Sequence, residues 1–136
     1  MDIITKVLVV DDEPDCARLV QTILEKNESF EVKIVNRPHE ALAAAREFKP
    51  DICVLDVDMP GKDGGELCRD LQKDPAVGKV PVLFLTGLIS KEETRHGYSL
   101  RGGMRFLSKP PAPLSLLTSI REVLNEAALT RGASVQ

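Results

Sequence analysis

The chain has 136 residues, a length that favours one domain with a single core. Hydrophobic residues make up 43% and charged residues 29%, ordinary for a soluble globular protein, and a net charge of −3 gives no pull toward nucleic acid or an acidic membrane surface. No apolar run reaches the ~20 residues of a membrane-spanning helix, the first residues show no charged region followed by a long apolar stretch, and Cys16, Cys53 and Cys68 lack paired or zinc-ligand spacing, so reduced thiols and a cytoplasmic setting are expected.

Short apolar runs alternate with helical patterns. Lys6 to Val10 reads as a buried strand ending at Asp11-Asp12-Glu13, and Pro14 suits the first turn of a helix whose apolar face is Leu19, Val20, Ile23 and Leu24. Glu31 to Val35 alternates and reads as an edge strand. Pro38 opens a second helix, with Ala41, Leu42, Ala45 and Phe48 on one side and Lys49-Pro50 as its stop. Asp51 to Leu55 is the third strand, delivering Asp56 to its tip before Pro60-Gly61 turns the chain. A short helix after Gly64-Gly65 turns Leu67, Cys68 and Leu71 inward.

Lys73 to Lys79 reads as a polar loop, and Val80 to Leu85 as the fourth strand, with Pro81 tolerable near its start. A weaker helix is expected over Lys91 to Leu100, broken by Gly102-Gly103. Met104 to Leu107 is the fifth strand. Leu114, Leu117, Ile120, Val123, Leu124 and Ala127 form the last helical stripe. The expected division is a domain over 1–129 and a short flexible tail over 130–136, with no further domain after Ala128. Met1 and that tail suggest a complete, stand-alone chain.

Five strands alternating with five helices, the strands mostly continuous Val/Leu/Ile runs, predict an α/β doubly wound parallel sheet with helices on both faces. Right-handed crossovers then bring all strand tips to one edge, where open α/β sheets bind ligands. Asp11, Asp12, Asp56, Thr86 and Lys109 all fall there. Crowded carboxylates repel one another unless a cation joins them, and hard oxygen ligands suit Mg²⁺. Beside such a metal Asp56 stays ionised and can attack phosphorus, Lys109 offsets phosphoryl charge, Thr86 can donate to a phosphoryl oxygen, and Gly87 leaves the approach open.

The pieces Val9-Val10-Asp11-Asp12-Glu13, Leu55 to Gly64, Leu85-Thr86-Gly87 and Lys109-Pro110, in that order and spacing, resemble a receiver domain of two-component response regulators, over nearly the whole chain. The resemblance implies a flavodoxin-like five-stranded sheet of order 2-1-3-4-5. It makes Asp56 the phosphoacceptor, Asp11 and Asp12 the Mg²⁺-binding acids together with the backbone carbonyl of Asp58, Thr86 the switch hydroxyl, and Lys109 the partner of the phosphoryl group, with Lys109–Pro110 cis. Phe106 takes the switch-aromatic position.

It further implies a phosphoprotein of a phosphorelay rather than a turnover enzyme. The phosphoryl donor would be a sensor histidine kinase or histidine phosphotransfer protein. Output would pass to a downstream protein effector without direct nucleic-acid binding, through a face of the fourth helix, fifth strand and fifth helix that Arg95, Tyr98, Arg101 and Arg105 could line. Three departures stand out. Met104-Arg105 replaces an acidic pair tied to dimerisation through the fourth and fifth helices, Pro111 replaces a Phe, and Phe106 lacks the hydroxyl of the usual Tyr.

Two other readings fit parts of the sequence. Asp56-Val57-Asp58 has the Asp-x-Asp spacing of haloacid-dehalogenase-like phosphohydrolases, though on the third strand instead of the first. A scaffold that keeps the fold without phosphotransfer would not need every site residue, yet all are present.

Overall fold

The computed structural model describes residues 3–135. Met1, Asp2 and Gln136 lie outside the described residues. The elements in chain order are β1 (Thr5–Val10), α1 (Pro14–Glu25), β2 (Phe30–Val35), a 3-10 turn (Pro38–Glu40) leading into α2 (Ala41–Phe48), β3 (Ile52–Asp56), α3 (Gly64–Lys73), β4 (Val82–Thr86), β5 (Ser99–Arg101), β6 (Met104–Ser108) and α4 (Pro113–Val135).

The sheet order is β2-β1-β3-β4-β6-β5. The first five strands in that order run parallel, which is the expected 2-1-3-4-5 arrangement with β6 in the fifth place. β5 is an addition, antiparallel to β6 at the sheet edge. Successive residues of each inner strand face opposite layers. Val7, Val9, Val54, Leu83, Leu85 and Leu107 pack with α1 and α4. Leu8, Val10, Cys53, Leu55 and Phe84 pack with α2 and α3. Burial on both faces is why these strands read as unbroken apolar runs. Truncating one fully buried member, such as Leu83→Ala, would cost about 2–5 kcal/mol.

Local signals hold where chemistry is decisive. Pro14 sits at the start of α1. Lys49 adopts a left-handed conformation (φ 55°) after α2, its N–H donating to Ala45 O, and Pro50 prevents further helix. Two apolar assignments shift. Leu19 is partly exposed, and Ala17 takes a buried place with Val20, Ile23 and Leu24. In α4 the buried row is Leu116, Ile120 and Val123, while Leu114 faces solvent. The helix extends through residues 130–135, where the sequence suggests a tail.

The main correction concerns residues 91–101. No helix forms there; the chain makes a series of turns and then enters β5. The segment has no apolar stripe at helical spacing, so a helix would bury little. Ser90 Oγ accepts the Glu93 N–H, as an N-cap would, but Gly97 at φ 139° ends the run. Gly102 and Gly103 then both take positive φ (59° and 79°), as a two-residue hairpin turn of type I′ requires. The glycine pair read as a helix breaker is the turn of a β-hairpin. The face expected on a helix over residues 91–100 therefore does not form; among the described residues, turns and the β5–β6 hairpin occupy that place.

Candidate functional site

The strand registers bring the expected residues to one edge. Val10 pairs with Leu55, Asp56 with Leu85, and Thr86 with Ser108, so Asp11, Asp56, Thr86 and Lys109 sit at or one residue beyond neighbouring strand ends. Asp11 and Asp56 are buried, and Asp12 is half-buried. One carboxylate oxygen from each of the three lies within 4.8 Å of the others.

Each carboxylate is held differently. Asp11 Oδ1 accepts the Glu13 N–H (2.9 Å) and a proton of Lys109 (3.2 Å), and Asn36 Nδ2 donates to the Asp11 carbonyl at 2.9 Å. Asp56 Oδ1 accepts the Asp58 N–H at 3.2 Å, and Asp56 Oδ2 accepts from Lys109 at 2.9 Å. Asp11 Oδ2 and Asp12 Oδ1 are buried with no protein partner. Buried anionic oxygens without donors are costly, and a hard cation at this acidic cluster would relieve them. The donor set therefore fits Mg²⁺.

The electrostatics follow from this crowding. Burial pushes the Asp56 carboxyl above its usual range; Lys109 opposes the shift and Asp11 adds to it. Burial, and then contact with Asp56, raises the Asp12 carboxyl as well. Burial works against the Lys109 ammonium, yet Glu13, Asp56 and Asp11 outweigh it and hold Lys109 above the usual lysine range. The Cys16 thiol is pushed up to about 12 by burial and by Asp11, which keeps it protonated and unreactive.

One backbone feature places Asp56. Gly64 begins α3 directly under the β3 tip, and a Cβ there would stand 2.4 Å from the Asp56 carbonyl oxygen. The Gly64 N–H donates to Val57 O at 3.0 Å, so the helix start and the strand tip are locked together. The Lys109–Pro110 peptide is cis, and the Lys109 N–H donates to Thr86 O at 3.0 Å.

The other expected residues stand further out. Asp58 is exposed and lines a cleft of about 540 Å³ with Glu13, Cys16, Asp56, Gly87 and Lys109. A Cβ at Gly87 would meet nothing within 4 Å, so its openness comes from the position as much as from the missing side chain. Thr86 is buried, and its hydroxyl accepts the Leu88 N–H at 3.1 Å instead of touching the acids. Phe106 is half-buried outside the cleft, stacked on Phe84 with ring centres 5.2 Å apart. Thr86 and Phe106 share a sheet face, since Thr86 pairs with Ser108 and Phe84 with Phe106.

Some contributors were not identified from sequence. Glu13 Oε1 is the nearest partner of Lys109, at 2.7 Å. Its place beside Asp11-Asp12 was visible, but an acid before Pro14 also reads as a helix-start charge. Asn36 and the buried pair Thr94–Ser108 carry no local signal at all. A slightly larger cleft, about 640 Å³, lies along β2 and α2 between Lys6, Lys33, Arg37, Glu40 and Glu47. It lacks the crowded carboxylates that make the strand-tip cleft chemically distinctive.

Residues 7–121 match the family model described as the response regulator receiver domain. The chain is 33% identical over 116 residues to the DNA-binding response regulator MtrA of Mycolicibacterium smegmatis, covering 85% of this chain and 49% of that protein. It is 36% identical over 118 residues to the response regulator PleD of Caulobacter vibrioides, covering 87% of this chain and 26% of that one. The chain thus spans half or less of these two relatives. Among solved structures, the chemotaxis response regulator CheY4 of Vibrio cholerae superposes with a TM-score of 0.73 at 31% identity, over 88% of this chain and 98% of that one. A response regulator from Desulfuromonas acetoxidans gives a TM-score of 0.72 at 25% identity, over 89% and 97%.

Proposed function

The chain belongs to the response regulator receiver domain family, the phosphoacceptors of two-component signalling, and we propose that Asp56 is the residue that takes the phosphoryl group. The observation that carries this reading is the placement of Asp56. It is a buried carboxylate with Lys109 Nζ at 2.9 Å, beside two acids, Asp11 and Asp12, each with one buried oxygen that has no protein partner.

In this reading Asp11, Asp12 and the backbone carbonyl of Asp58 would hold Mg²⁺ with Asp56. When bound, the metal keeps these carboxylates ionised and offsets charge on the phosphoryl oxygens. Asp56 attacks the phosphorus of a phosphohistidine on a sensor kinase or phosphotransfer protein. The Asp56 O–P bond forms as the N–P bond breaks, and the departing imidazole keeps the electron pair and takes a proton. Lys109 stays charged, because the acids around it stabilise its ammonium, and it donates to a phosphoryl oxygen. Water later cleaves the acyl phosphate, releasing inorganic phosphate and restoring the carboxylate. The protein is thus a transiently modified switch that turns over only its own phosphoryl group.

The switch itself begins at Thr86. Its hydroxyl can turn from the Leu88 N–H toward a phosphoryl oxygen, drawing the start of the Gly87–Gly97 segment with it. Phe106, on the same sheet face and held by packing against Phe84, can respond to the vacated space. The receiving surface for a protein effector is the turn segment with the β5–β6 hairpin, where Leu88 and Leu100 are exposed.

Acetyl phosphate with Mg²⁺ tests this directly. Intact mass should show one phosphoryl group on the wild-type chain and none on Asp56→Asn. An adduct that persists in Asp56→Asn, or steady turnover of a small phosphate ester, would overturn the assignment.

A further inference from the structure

We propose that Glu13 is a positioning residue for Lys109, holding the ammonium at the phosphoacceptor while a divalent cation occupies the acidic cluster. The inference rests on the reading of Asp56, Asp11 and Asp12 given above and extends it to a side chain outside that set.

Lys109 has three N–H donors and three carboxylate acceptors: Glu13 Oε1 at 2.7 Å, Asp56 Oδ2 at 2.9 Å and Asp11 Oδ1 at 3.2 Å. The acceptors are not equivalent. Asp11 and Asp56 are the buried acids of the cluster, and a cation bound there would draw on the same carboxylates that hold Lys109. That cation is also a like charge next to the ammonium, so Lys109 would lose attraction and meet repulsion together. Glu13 lies outside the cluster on the solvent side. Its side chain is 67% exposed, while that of Lys109 is only 12% exposed. It is the acceptor whose hold on Lys109 does not compete with the cation.

The backbone keeps Glu13 in this role. Its N–H is fixed on Asp11 Oδ1, and its extended conformation (φ −92°, ψ 105°) before Pro14 leaves its side chain lining the cleft with Asp56 and Lys109. A solvent-exposed ion pair of ordinary kind would contribute little to anything. Here the pair settles whether an ammonium and a dication can share one site, and so couples Glu13 to cation binding through Lys109.

The test is a Mg²⁺ titration of the full chain by calorimetry, for wild type, Glu13→Gln, Lys109→Met and the double variant. Glu13→Gln should weaken Mg²⁺ binding at least about five-fold in the wild-type background. In the Lys109→Met background it should weaken binding by roughly two-fold or less, since only a solvent-screened charge outside the acid cluster is then lost. Glu13→Asp keeps the charge but shortens the reach, and should behave like Glu13→Gln. Equal losses in both backgrounds, or a Glu13→Asp protein that matches wild type, would overturn the proposal while leaving Asp56 as phosphoacceptor. A wild-type chain that neither binds Mg²⁺ nor forms the phosphoryl adduct would overturn both.

Discussion

Thr94 Oγ1, in the turn segment that carries no helix, donates to Ser108 Oγ at the end of β6 at 3.1 Å, and both side chains are buried. Ser108 pairs with Thr86 across the sheet and precedes Lys109, so this hydroxyl pair anchors the turn segment to the strand that carries the site. Ser115 Oγ adds a second tie by donating to the Arg95 carbonyl.

Thr94→Val keeps the shape and removes the hydroxyl, leaving Ser108 without this partner. The expected loss is about 1–3 kcal/mol in urea unfolding, with Thr94→Ser costing less. A Thr94→Val protein as stable as wild type would show that the contact does not hold the segment.

Gly64→Ala should be more harmful than an ordinary helix substitution. The new Cβ would meet the Asp56 carbonyl at 2.4 Å, and backbone on both sides must give way. A stability loss of about 1–3 kcal/mol is expected, with slower phosphoryl uptake from acetyl phosphate. Gly65→Ala, whose Cβ meets only side chains, is the control. Uptake unchanged in Gly64→Ala would separate helix position from Asp56 geometry.

Asp12→Asn should stabilise the cation-free protein and abolish tight Mg²⁺ binding. Burial and Asp56 both disfavour the charged Asp12 carboxyl, so removing that charge relieves repulsion that serves the site and not the fold. Thermal unfolding without divalent cations should move upward, and added Mg²⁺ should raise the wild-type midpoint while leaving the variant nearly unmoved. A drop in the midpoint of cation-free Asp12→Asn would contradict this.

Tyr98 and then Arg105 hold the Glu126 carboxyl below its ordinary value of 4.5, linking the hairpin to α4. A carboxyl with a depressed folded pKa contributes stability that is complete above its unfolded value and lost as pH falls through the folded one. The gap between wild type and Glu126→Gln should therefore be about 1 kcal/mol at neutral pH, a modest figure because Glu126 is nearly half exposed, and should close below pH 4.5. A gap unchanged between pH 7 and pH 3 would show that packing, not charge, makes the link.

Much of the fold was legible because its signals are local. Val7 to Val10 and Ile52 to Leu55 announce buried strands by composition alone, and Pro14, Lys49-Pro50 and Pro60-Gly61 mark boundaries by backbone chemistry. The 91–101 segment failed for the converse reason. Its charged residues favour helix by propensity, but helices in proteins are held mainly by packing, and the segment has no apolar stripe at helical spacing for a helix to bury. Gly102-Gly103 was a turn signal whose strand partner, Ser99–Arg101, is too short and polar to recognise without β6 beside it.

Patterning alone makes the available chemistry plain: two acids, then one, a hydroxyl and an ammonium, each at the end of an apolar run, because strand tips follow from the alternation of apolar runs and turns. How those groups share their charges depends on the packed fold. Parallel register set Asp56 against Lys109, burial stripped two carboxylate oxygens of partners, and Glu13 entered the site because the turn before Pro14 leaves its side chain lining the cleft. Distances across strands far apart in the chain have no local signal, and in a buried site those distances govern which charge neutralises which.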